Sequence, residues 1–310
     1  MLTIYDGRDV TYTIAAFYRF VRIAEPEVLR EELRTNFAGS DLLGTTLIAA
    51  EGVNGTMAGS AATIDRLLQF LEARAGLDRT EVKFSSAEAP PFKRLKFKVK
   101  AEIITFRNVA IDPSKPGTYV EPGQWNTLIE RDDVLVLDTR NTYETEAGTF
   151  EGAVTPPLDK FSDFVTYVRE NLDAEKHRKV AMFCTGGIRC EKASSYMQSQ
   201  GFREVYHLKG GILKYLEEVP QEQSKWQGEC FVFDHRVAVG HGLIPSEIEL
   251  CHGCRMPLDS ADKFSELYEE GVSCPKCFAG LSEKSKASAR ERQKQIDLAK
   301  KRNLRKPIGV

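Results

Sequence analysis

The sequence lacks the long apolar segments and the leader that would place a protein in or across a membrane. No run of eighteen consecutive apolar residues occurs among its 310 residues, and a transmembrane helix needs about 20. Residues 1–10 contain Asp6 and Asp9 and have no apolar core, so they do not resemble a secretory signal. We therefore expect a cytoplasmic protein with no membrane partner.

The sequence also lacks any sign of a disulfide framework, although it contains seven cysteines. Thiols in the cytoplasm stay mostly reduced, so we expect thiolates, metal ligands or core residues rather than disulfides. The sequence further lacks a dinucleotide-binding fingerprint, a haem motif and a set of two histidines with a carboxylate. We therefore expect no flavin, haem or nicotinamide.

The charge is unevenly distributed along the chain. Residues 281–310 hold ten Lys or Arg against three Asp or Glu, a net charge of +7, which leaves −9 for the rest of a chain whose total is −2. A basic tail on an acidic body favours contact with nucleic acid phosphates, and the candidates are Lys300, Lys301 and Arg302. The tail also fits a solvated charged helix.

Residues 1–110 show the element order β-α-β-β-α-β, which predicts a ferredoxin-like α+β domain. The predicted strands cover 12–20, 45–50, 82–84 and 97–106, and the predicted helices cover 26–37 and 62–75. Asn54-Gly55 is a strong hairpin signal. We therefore expect the chain to turn at these two residues and to continue as a strand through 56–58.

Residues 121–220 alternate strands with helices, which predicts a parallel α/β domain. The predicted strands cover 134–137, 180–183 and 205–208, and the predicted helices cover 161–172 and 188–200. Residues 221–280 form a Cys-rich region that starts with a short β-like stretch at 228–239, and residues 281–310 form the basic tail, predicted to be helical over 288–303.

Cys184 stands between the strand at 180–183 and the following helix, on a turn that contains Gly186 and Gly187. Amide groups in such a turn point inward, and the helix N-terminus carries partial positive charge. Arg189 adds a full charge. These features favour a thiolate at Cys184; the alternative is a buried structural cysteine, which the two glycines and the arginine disfavour.

The segment 184–189 has the form Cys-x-x-Gly-x-Arg and resembles the active-site loop of rhodaneses. The run 138–140 resembles the Asp-x-Arg turn of that family, and Gly210-Gly211 resembles the glycine pair before its last helix. The resemblance implies a rhodanese-like catalytic domain over 121–220 and a covalent adduct, such as a persulfide, on Cys184. The residues implied around it are Arg189, the loop residues Thr185, Gly186, Gly187 and Ile188, and the supporting residues Asp138 and Arg140.

Cys190 departs from simple sulfurtransferases, which often have a small residue at this position. It would either resolve an oxidised Cys184 or pack on the buried face of the helix.

The segments 50–56, 138–141, 183–193 and 251–255 together resemble the rhodanese-domain tRNA uridine hydroxylases over nearly the whole chain. The resemblance implies that tRNA is the partner and that O2 is a co-substrate with an unidentified reductant. The implied product is 5-hydroxyuridine at the wobble position, 34. The essential cysteine of that family corresponds to Cys184.

Two cysteine pairs occur near the C-terminus, separated by nineteen residues: Cys251 with Cys254, and Cys274 with Cys277. This spacing is typical of a structural zinc site. The alternatives are two reduced pairs in a small apolar knuckle, or a dithiol redox role.

Residues 92–100 alternate between apolar and basic side chains. The basic residues Arg94, Lys96, Lys98 and Lys100 would share one face of a strand. This basic ridge predicts contacts with RNA phosphates, or else the protection of an edge strand by lysine.

Three functions are consistent with these motifs. In the first, Cys184 adds to C6 of a tRNA uridine and raises electron density at C5, where oxygen attaches; a Cys184 persulfide is the alternative reactive group. The second is a persulfide sulfurtransferase that acts on a tRNA or protein acceptor. The third is an RNA-binding module with a vestigial rhodanese domain, which the intact Cys184 and Arg189 disfavour.

Overall fold

The computed structural model describes residues 11–107, 115–258 and 260–301. The chain forms two compact units that divide between Pro245 and Ser246. None of the described helices has the length and apolar character needed to cross a membrane.

The first part of unit one is the predicted ferredoxin-like domain. Its elements are β1 (Tyr12–Phe20), α1 (Pro26–Asn36), β2 (Leu43–Ala49), β3 (Gly52–Gly59), α2 (Ala61–Ala75), β4 (Lys83–Ala87) and β5 (Leu95–Val99). The strand order is β4-β1-β3-β2-β5. Strand β5 pairs in parallel with β2, and the other pairs are antiparallel. The prediction of this fold is confirmed.

Helices α1 and α2 bury their apolar stripes against one face of this sheet. Leu29 and Leu33 of α1 join Leu67 and Leu71 of α2 in a single core cluster. Helix α2 has clear end signals: the hydroxyl of Ser60 accepts a hydrogen bond from the amide of Thr63, and Gly76 follows in the left-handed conformation.

The predicted turn at Asn54-Gly55 is wrong. Both residues lie inside β3, and the chain turns instead between β2 and β3, at residues 50–51. A Cβ on Gly55 would approach the Phe17 ring to 2.9 Å, so glycine here permits close packing rather than a turn. The Asn54 side chain donates a hydrogen bond to the carbonyl of Ile103.

The predicted strand at 97–106 is shorter than expected, because β5 ends at Val99. The following residues leave the sheet and pack on the second domain. Phe106 lies 4.8 Å from Phe161 and 5.8 Å from Tyr196, measured between ring centroids. Contacts between domains therefore replaced strand pairing here.

The second part of unit one is the predicted parallel α/β domain. Its elements are β6 (Thr118–Val120), α3 (Pro122–Ile129), β7 (Val134–Asp138), α4 (Thr142–Thr145), β8 (Gly148–Phe150), α5 (Phe164–Asn171), β9 (Lys179–Phe183), α6 (Ile188–Ser199), β10 (Glu204–Leu208) and α7 (Gly211–Glu218). The sheet order is β6-β10-β9-β7, and every pair is parallel. The carboxyl ends of its strands meet at one edge, where sites form in such sheets.

Aromatic packing fixes the strand that carries the candidate cysteine. The ring of Phe183, at the end of β9, lies 4.8 Å from Phe150, which in turn contacts Tyr215 and Trp226. Trp226 belongs to a short extension formed by β11 (Trp226–Gly228), β12 (Cys230–Phe231) and β13 (Ala238–Val239). Strand β11 pairs with β8, so this extension packs on the parallel domain. The domain boundaries expected from the sequence, 1–110, 121–220, 221–280 and 281–310, remain predictions.

Unit two contains β14 (Glu249–Leu250), β15 (Pro257–Leu258), α8 (Ser260–Phe264) and α9 (Glu283–Lys301). Strands β14 and β15 form an antiparallel hairpin. The helix predicted over 288–303 corresponds to α9, which begins earlier in the chain. Arg302, one of the predicted phosphate ligands, lies outside the described residues.

Candidate active site

The loop at 184–187 joins β9 to α6 at the carboxyl edge of the parallel sheet. Gly187 has a φ of +99°, a conformation that side chains disfavour. The start of α7 braces the loop from behind: the amide of Ile212 donates to the carbonyl of Cys184, at 3.0 Å. A Cβ on Gly211 would lie 2.5 Å from the same carbonyl oxygen, so this brace requires glycine.

The sulfur of Cys184 sits inside this loop and accepts a hydrogen bond from the amide of Gly187, at 3.2 Å. Complete burial opposes ionisation of the thiol. The hydrogen bond from Cys190, the charge of Arg189 and the backbone amides of Cys190 and Arg189 outweigh burial, and the pKa of Cys184 falls to about 5. At neutral pH this sulfur is a thiolate.

Glu144 holds Arg189 in place. Its two carboxylate oxygens accept hydrogen bonds from the two terminal guanidinium nitrogens of Arg189, both at 2.6 Å. The Thr185 hydroxyl donates a further hydrogen bond to one of these carboxylate oxygens. Burial acts against ionisation of Glu144, but Arg189 holds its pKa below the ordinary value. Asn141 and Glu144 also form a capping box at α4, which fixes the carboxylate on its short helix.

The supporting pair Asp138 and Arg140 lies behind the loop. Both side chains are fully buried and form an ion pair at 2.6 Å. Arg140 also donates to the carbonyl of Gly148, and the Thr149 hydroxyl donates to Asp138. The pair therefore ties β7 to β8 and does not border the cleft described below.

Cys190 packs on the buried face of α6, next to Thr139, with 3.7 Å between its sulfur and the threonine hydroxyl. Burial and the neighbouring Cys184 raise the pKa of Cys190 well above the ordinary value. It is therefore a neutral thiol that donates to the thiolate of Cys184.

A cleft of about 520 Å³ opens in front of the loop, between the two domains of unit one. The parallel domain contributes the catalytic loop together with Asn141, Tyr143 and Lys160. The ferredoxin-like domain contributes Ala16, Tyr18, Asn54 and Lys83, and the β-extension contributes Phe233 and Arg236. The exposed ring of Phe233 and that of Tyr143 offer faces on which a base could stack.

Two tyrosines hold the carboxylate of Glu191, on α6 beside the loop. Tyr18 and Tyr119 each donate to one of its carboxylate oxygens, at 2.8 Å. Burial raises the pKa of Glu191 to about 7, despite these two hydrogen bonds. The hydroxyl of Tyr18 lies so near the loop that a Cβ on Gly187 would be 2.9 Å from it.

Lys192 links the two domains of unit one. Its ammonium lies 2.9 Å from a carboxylate oxygen of Glu51, 2.7 Å from one of Glu102 and 2.9 Å from the carbonyl of Ile104. Only 2% of the side chain is exposed. This buried network holds the ferredoxin-like domain against α6, just after the catalytic loop.

Cys184 borders the cleft and yet is 0% exposed in this structure. Water does not touch the sulfur, which strengthens the electrostatic interactions that stabilise the thiolate.

The four cysteines near the C-terminus converge in unit two. Their sulfur atoms all lie within 4.8 Å of one another, and three of the separations are 3.7, 3.9 and 3.9 Å. Tetrahedral zinc with bonds of about 2.3 Å places its sulfur ligands about 3.8 Å apart. The donor set and its geometry therefore fit a closed zinc site. The four are Cys251, Cys254, Cys274 and Cys277.

The predicted phosphate ligands divide between the two units. Four of them are exposed in β5, an edge strand, or directly beside it: Arg94, Lys96, Lys98 and Lys100. The side chain of Phe97 packs in the core. Lys301 is exposed at the end of α9. Lys300 lies in the same helix. The alternation predicted for β5 is confirmed, although it fits a protected edge as well as a basic ridge.

Sequence reasoning assigned no role to four residues of the site: Glu144, Glu191, Lys83 and Phe233. Glu144 follows the Asp-x-Arg turn by four residues, and this spacing could have suggested a partner for a loop arginine. Glu191 directly follows the loop region. Nothing in a single sequence marks Lys83 or Phe233, because each reaches the cleft from a separate part of the chain.

The charge on Cys184 can be measured directly. We expect the ultraviolet absorbance of its thiolate, taken as wild type minus Cys184→Ser, to titrate near pH 5 rather than near the ordinary value of about 8.5. Because Arg189 favours the anion, Arg189→Gln should shift this midpoint upward. Arg203→Gln, an exposed arginine on the same domain, is the matched control and should leave it unchanged. An unshifted midpoint in the wild type would contradict the description of the loop.

Comparison with known proteins agrees with both domains. Residues 12–103 match the UPF0176 acylphosphatase like domain, and residues 121–218 match the rhodanese-like domain. A solution NMR structure of a rhodanese-like domain from Anabaena sp. is 20% identical, with a TM-score of 0.30, over 37% of this chain and 80% of that chain.

Two curated relatives extend the similarity to nearly the whole chain. They are the tRNA uridine(34) hydroxylases of Brucella ovis and of Brucella suis biovar 1. Each is 51% identical over 302 residues, which cover 97% of this chain and 99% and 98% of the respective relatives. The resemblance noted in the sequence is confirmed, and the chain belongs to the tRNA uridine(34) hydroxylase family.

Proposed function

We propose that this protein hydroxylates C5 of uridine 34 in tRNA, with O2 as the oxygen source and Cys184 as the residue that activates the base. The names of the relatives, at 51% identity over 97% of the chain, support the substrate and the reaction class. The observation that carries the role of Cys184 is its buried thiolate, with a pKa of about 5, at the base of a cleft of nucleotide size. Mature tRNA as substrate implies a cytoplasmic reaction.

The chemistry follows from the polarity of uracil. The Cys184 sulfur adds to C6, and the electron pair of the C5=C6 bond moves toward C5 and the C4 carbonyl oxygen. C5 then becomes electron-rich and receives one oxygen atom. Loss of the C5 proton and departure of the thiolate restore the double bond. The net reaction consumes O2, two electrons from an external donor and two protons, and it yields 5-hydroxyuridine and water.

The surrounding residues prepare the sulfur for this addition. The Gly187 amide and Arg189 keep the thiolate ionised, and Glu144 fixes Arg189 in position. Phe233 and Tyr143 offer aromatic faces for the flipped-out wobble base and its neighbours. The closed walls around Cys184 keep water away from the reactive carbon.

A persulfide sulfurtransferase is the second candidate. The observation that favours it is the rhodanese-like match over 121–218, with a loop whose amides surround the sulfur position. It differs in its products: it predicts a thiolated acceptor, sulfur transfer from thiosulfate to cyanide, and an extra sulfur atom on Cys184 in the mass spectrum of the isolated protein.

Replacement of Cys184 tests the proposal. In a strain that lacks the endogenous enzyme, we expect Cys184→Ser to reduce 5-hydroxyuridine in tRNA by more than about 1,000-fold, because the nucleophile is lost. Mass spectrometry of tRNA nucleosides gives the measurement. Cys230→Ala is the matched control: Cys230 is equally buried but does not border the cleft, so modification should persist. Wild-type levels of 5-hydroxyuridine in Cys184→Ser, at equal protein abundance, would refute covalent catalysis, and loss of 2-thiolation instead would favour the sulfurtransferase.

We also propose that the basic ridge of Arg94, Lys96, Lys98 and Lys100 contacts tRNA phosphates, together with Lys300, Lys301 and Arg302 of the tail. The support from the structure is the exposure of the ridge along an edge strand. Such contacts contribute affinity that falls with salt and does not depend on base sequence.

Neutralising the ridge tests this part of the proposal. The triple variant Lys96→Gln, Lys98→Gln and Lys100→Gln should bind tRNA more weakly. Its plot of log affinity against log salt should be flatter by about three, or about one for each lost phosphate contact. Lys176→Gln, at a lysine with 79% side-chain exposure outside the ridge, should leave the slope unchanged. An unchanged slope in the triple variant would contradict contact with tRNA phosphates and would leave protection of the edge strand as the role of these lysines.

We further propose that Cys251, Cys254, Cys274 and Cys277 hold one structural zinc ion in unit two. Four thiolates fill a tetrahedral shell and leave no position for substrate, so the role is folding of the small unit. The sulfur separations of 3.7–3.9 Å support zinc over a loose group of reduced thiols.

Metal analysis tests the zinc proposal. We expect about one zinc per chain in the purified protein by elemental mass spectrometry, and a loss of zinc in Cys254→Ser. Cys230→Ala removes a cysteine outside the cluster and should retain the metal. Protein that is free of zinc and yet keeps α9 and its thermal unfolding transition after chelation would contradict a structural role.

A further inference from the structure

Lys83 is the one buried cation of the cleft for which the described part of the chain supplies no anionic partner. It lies on β4 opposite Ala16 of β1 and is 8% exposed. It borders the same cleft as Cys184. Its ammonium is 5.0 Å from the centre of the Tyr18 ring, and within residues 11–107, 115–258 and 260–301 it forms no ion pair.

Three other buried cations of unit one have carboxylate partners within the chain. Lys192, at 2% exposure, contacts two carboxylates and a carbonyl. Arg189 and Arg140 each have a bidentate carboxylate. A buried charge without a partner is costly, and a fold that serves only stability pairs it or replaces it. The isolation of Lys83 therefore indicates a partner that the chain itself does not contain.

Burial disfavours the charged form of this side chain. It lowers the pKa of Lys83 to about 8, although the nearby negative groups Glu81, Cys184 and Glu191 act in the opposite direction. Cys184 and Lys83 thus influence each other across the cleft. A buried cation of this kind, in a cleft with a nucleophile, is a candidate functional residue.

We propose that Lys83 is a catalytic residue supplied by the ferredoxin-like domain, which donates a hydrogen bond to the C4 carbonyl oxygen of the target uracil while Cys184 adds to C6. This inference rests on the proposed function. In the step, the S–C6 bond forms, the C5=C6 pair moves onto C5 and the C4 oxygen, and no atom leaves. The ammonium of Lys83 balances the charge that develops on that oxygen.

The same contact would select uracil over cytosine. Uracil has an acceptor oxygen at C4, whereas cytosine has an amino group that donates hydrogen bonds. An ammonium group has donors only, so it meets the uracil oxygen favourably and opposes the cytosine amino group. The residue would thus serve both the rate of addition and the choice of base.

The test isolates the addition step from the oxygen step. A tRNA anticodon stem-loop with 5-fluorouridine at position 34 is incubated with the enzyme without O2, and the covalent complex is followed on denaturing gels at saturating RNA. We expect Lys83→Met to slow formation of this complex by about 100-fold or more, because stabilisation of the developing oxyanion is lost. Lys83→Arg, which retains donors and charge, should recover part of the rate.

Three measurements distinguish a catalytic role of Lys83 from a purely structural one. The stem-loop dissociation constant of Lys83→Met should stay within about threefold of the wild type, because the proposed hydrogen bond strengthens during the addition. Its thermal unfolding temperature should not fall, since the variant removes an unpaired buried charge. Lys176→Met, an exposed lysine away from the cleft, should form the complex at the wild-type rate.

The outcomes test the role of Lys83 separately from the proposed hydroxylation of uridine 34. If wild type forms the complex and Cys184→Ser does not, the covalent proposal stands. A wild-type rate in Lys83→Met then overturns the role of Lys83 alone. A defect in Lys83→Met that disappears at saturating RNA also overturns it, since Lys83 would then contribute binding only. If the wild type forms neither the complex nor 5-hydroxyuridine, the proposed function itself fails.

Discussion

The stabilisation of one buried thiolate is the interaction on which the rest of the site depends. Burial alone would keep Cys184 protonated, and the loop reverses this with the Gly187 amide, the Cys190 thiol and the charge of Arg189. Arg189 can supply that charge only because Glu144 fixes it from α4. The ionised sulfur therefore depends on the packing of α4 and α6 and not only on the six residues of the loop.

The ferredoxin-like domain forms part of this site and is more than an attached binding module. It places Tyr18 against Gly187 and Glu191, and Lys83 in the cleft. The pairing of Lys192 with Glu51 holds the domain against α6. Neither domain alone encloses the cleft, which explains in physical terms why the similarity to the hydroxylases extends across both.

The parts of the fold and site that are encoded locally could be predicted, and those that depend on distant pairing could not. Short apolar and aromatic runs identified β1 and β9, and the glycine turn before a helix identified Cys184. Asn54-Gly55 misled because the same dipeptide suits both a tight turn and close packing, and only the contact with Phe17 decides between them. Lys83 and Cys184 are about one hundred residues apart, so no local pattern could connect them.

Cys184 and Lys83 carry opposite charges, which helps to explain how one buried site can hold both. A buried thiolate and a buried ammonium are each unfavourable alone, but across a small cleft with little water each lowers the cost of the other. Within the described residues, Lys83 has no set of partners like the one that stabilises the Cys184 thiolate, and in the proposed function a polar ring with an electrophilic carbon and an acceptor oxygen contacts both groups. In uracil, C4 and C6 both flank C5, so addition at C6 and a hydrogen bond to the C4 oxygen act on one conjugated system. Cys184 and Lys83 come from different domains and line one cleft, which suits the polarity of the base that the family modifies.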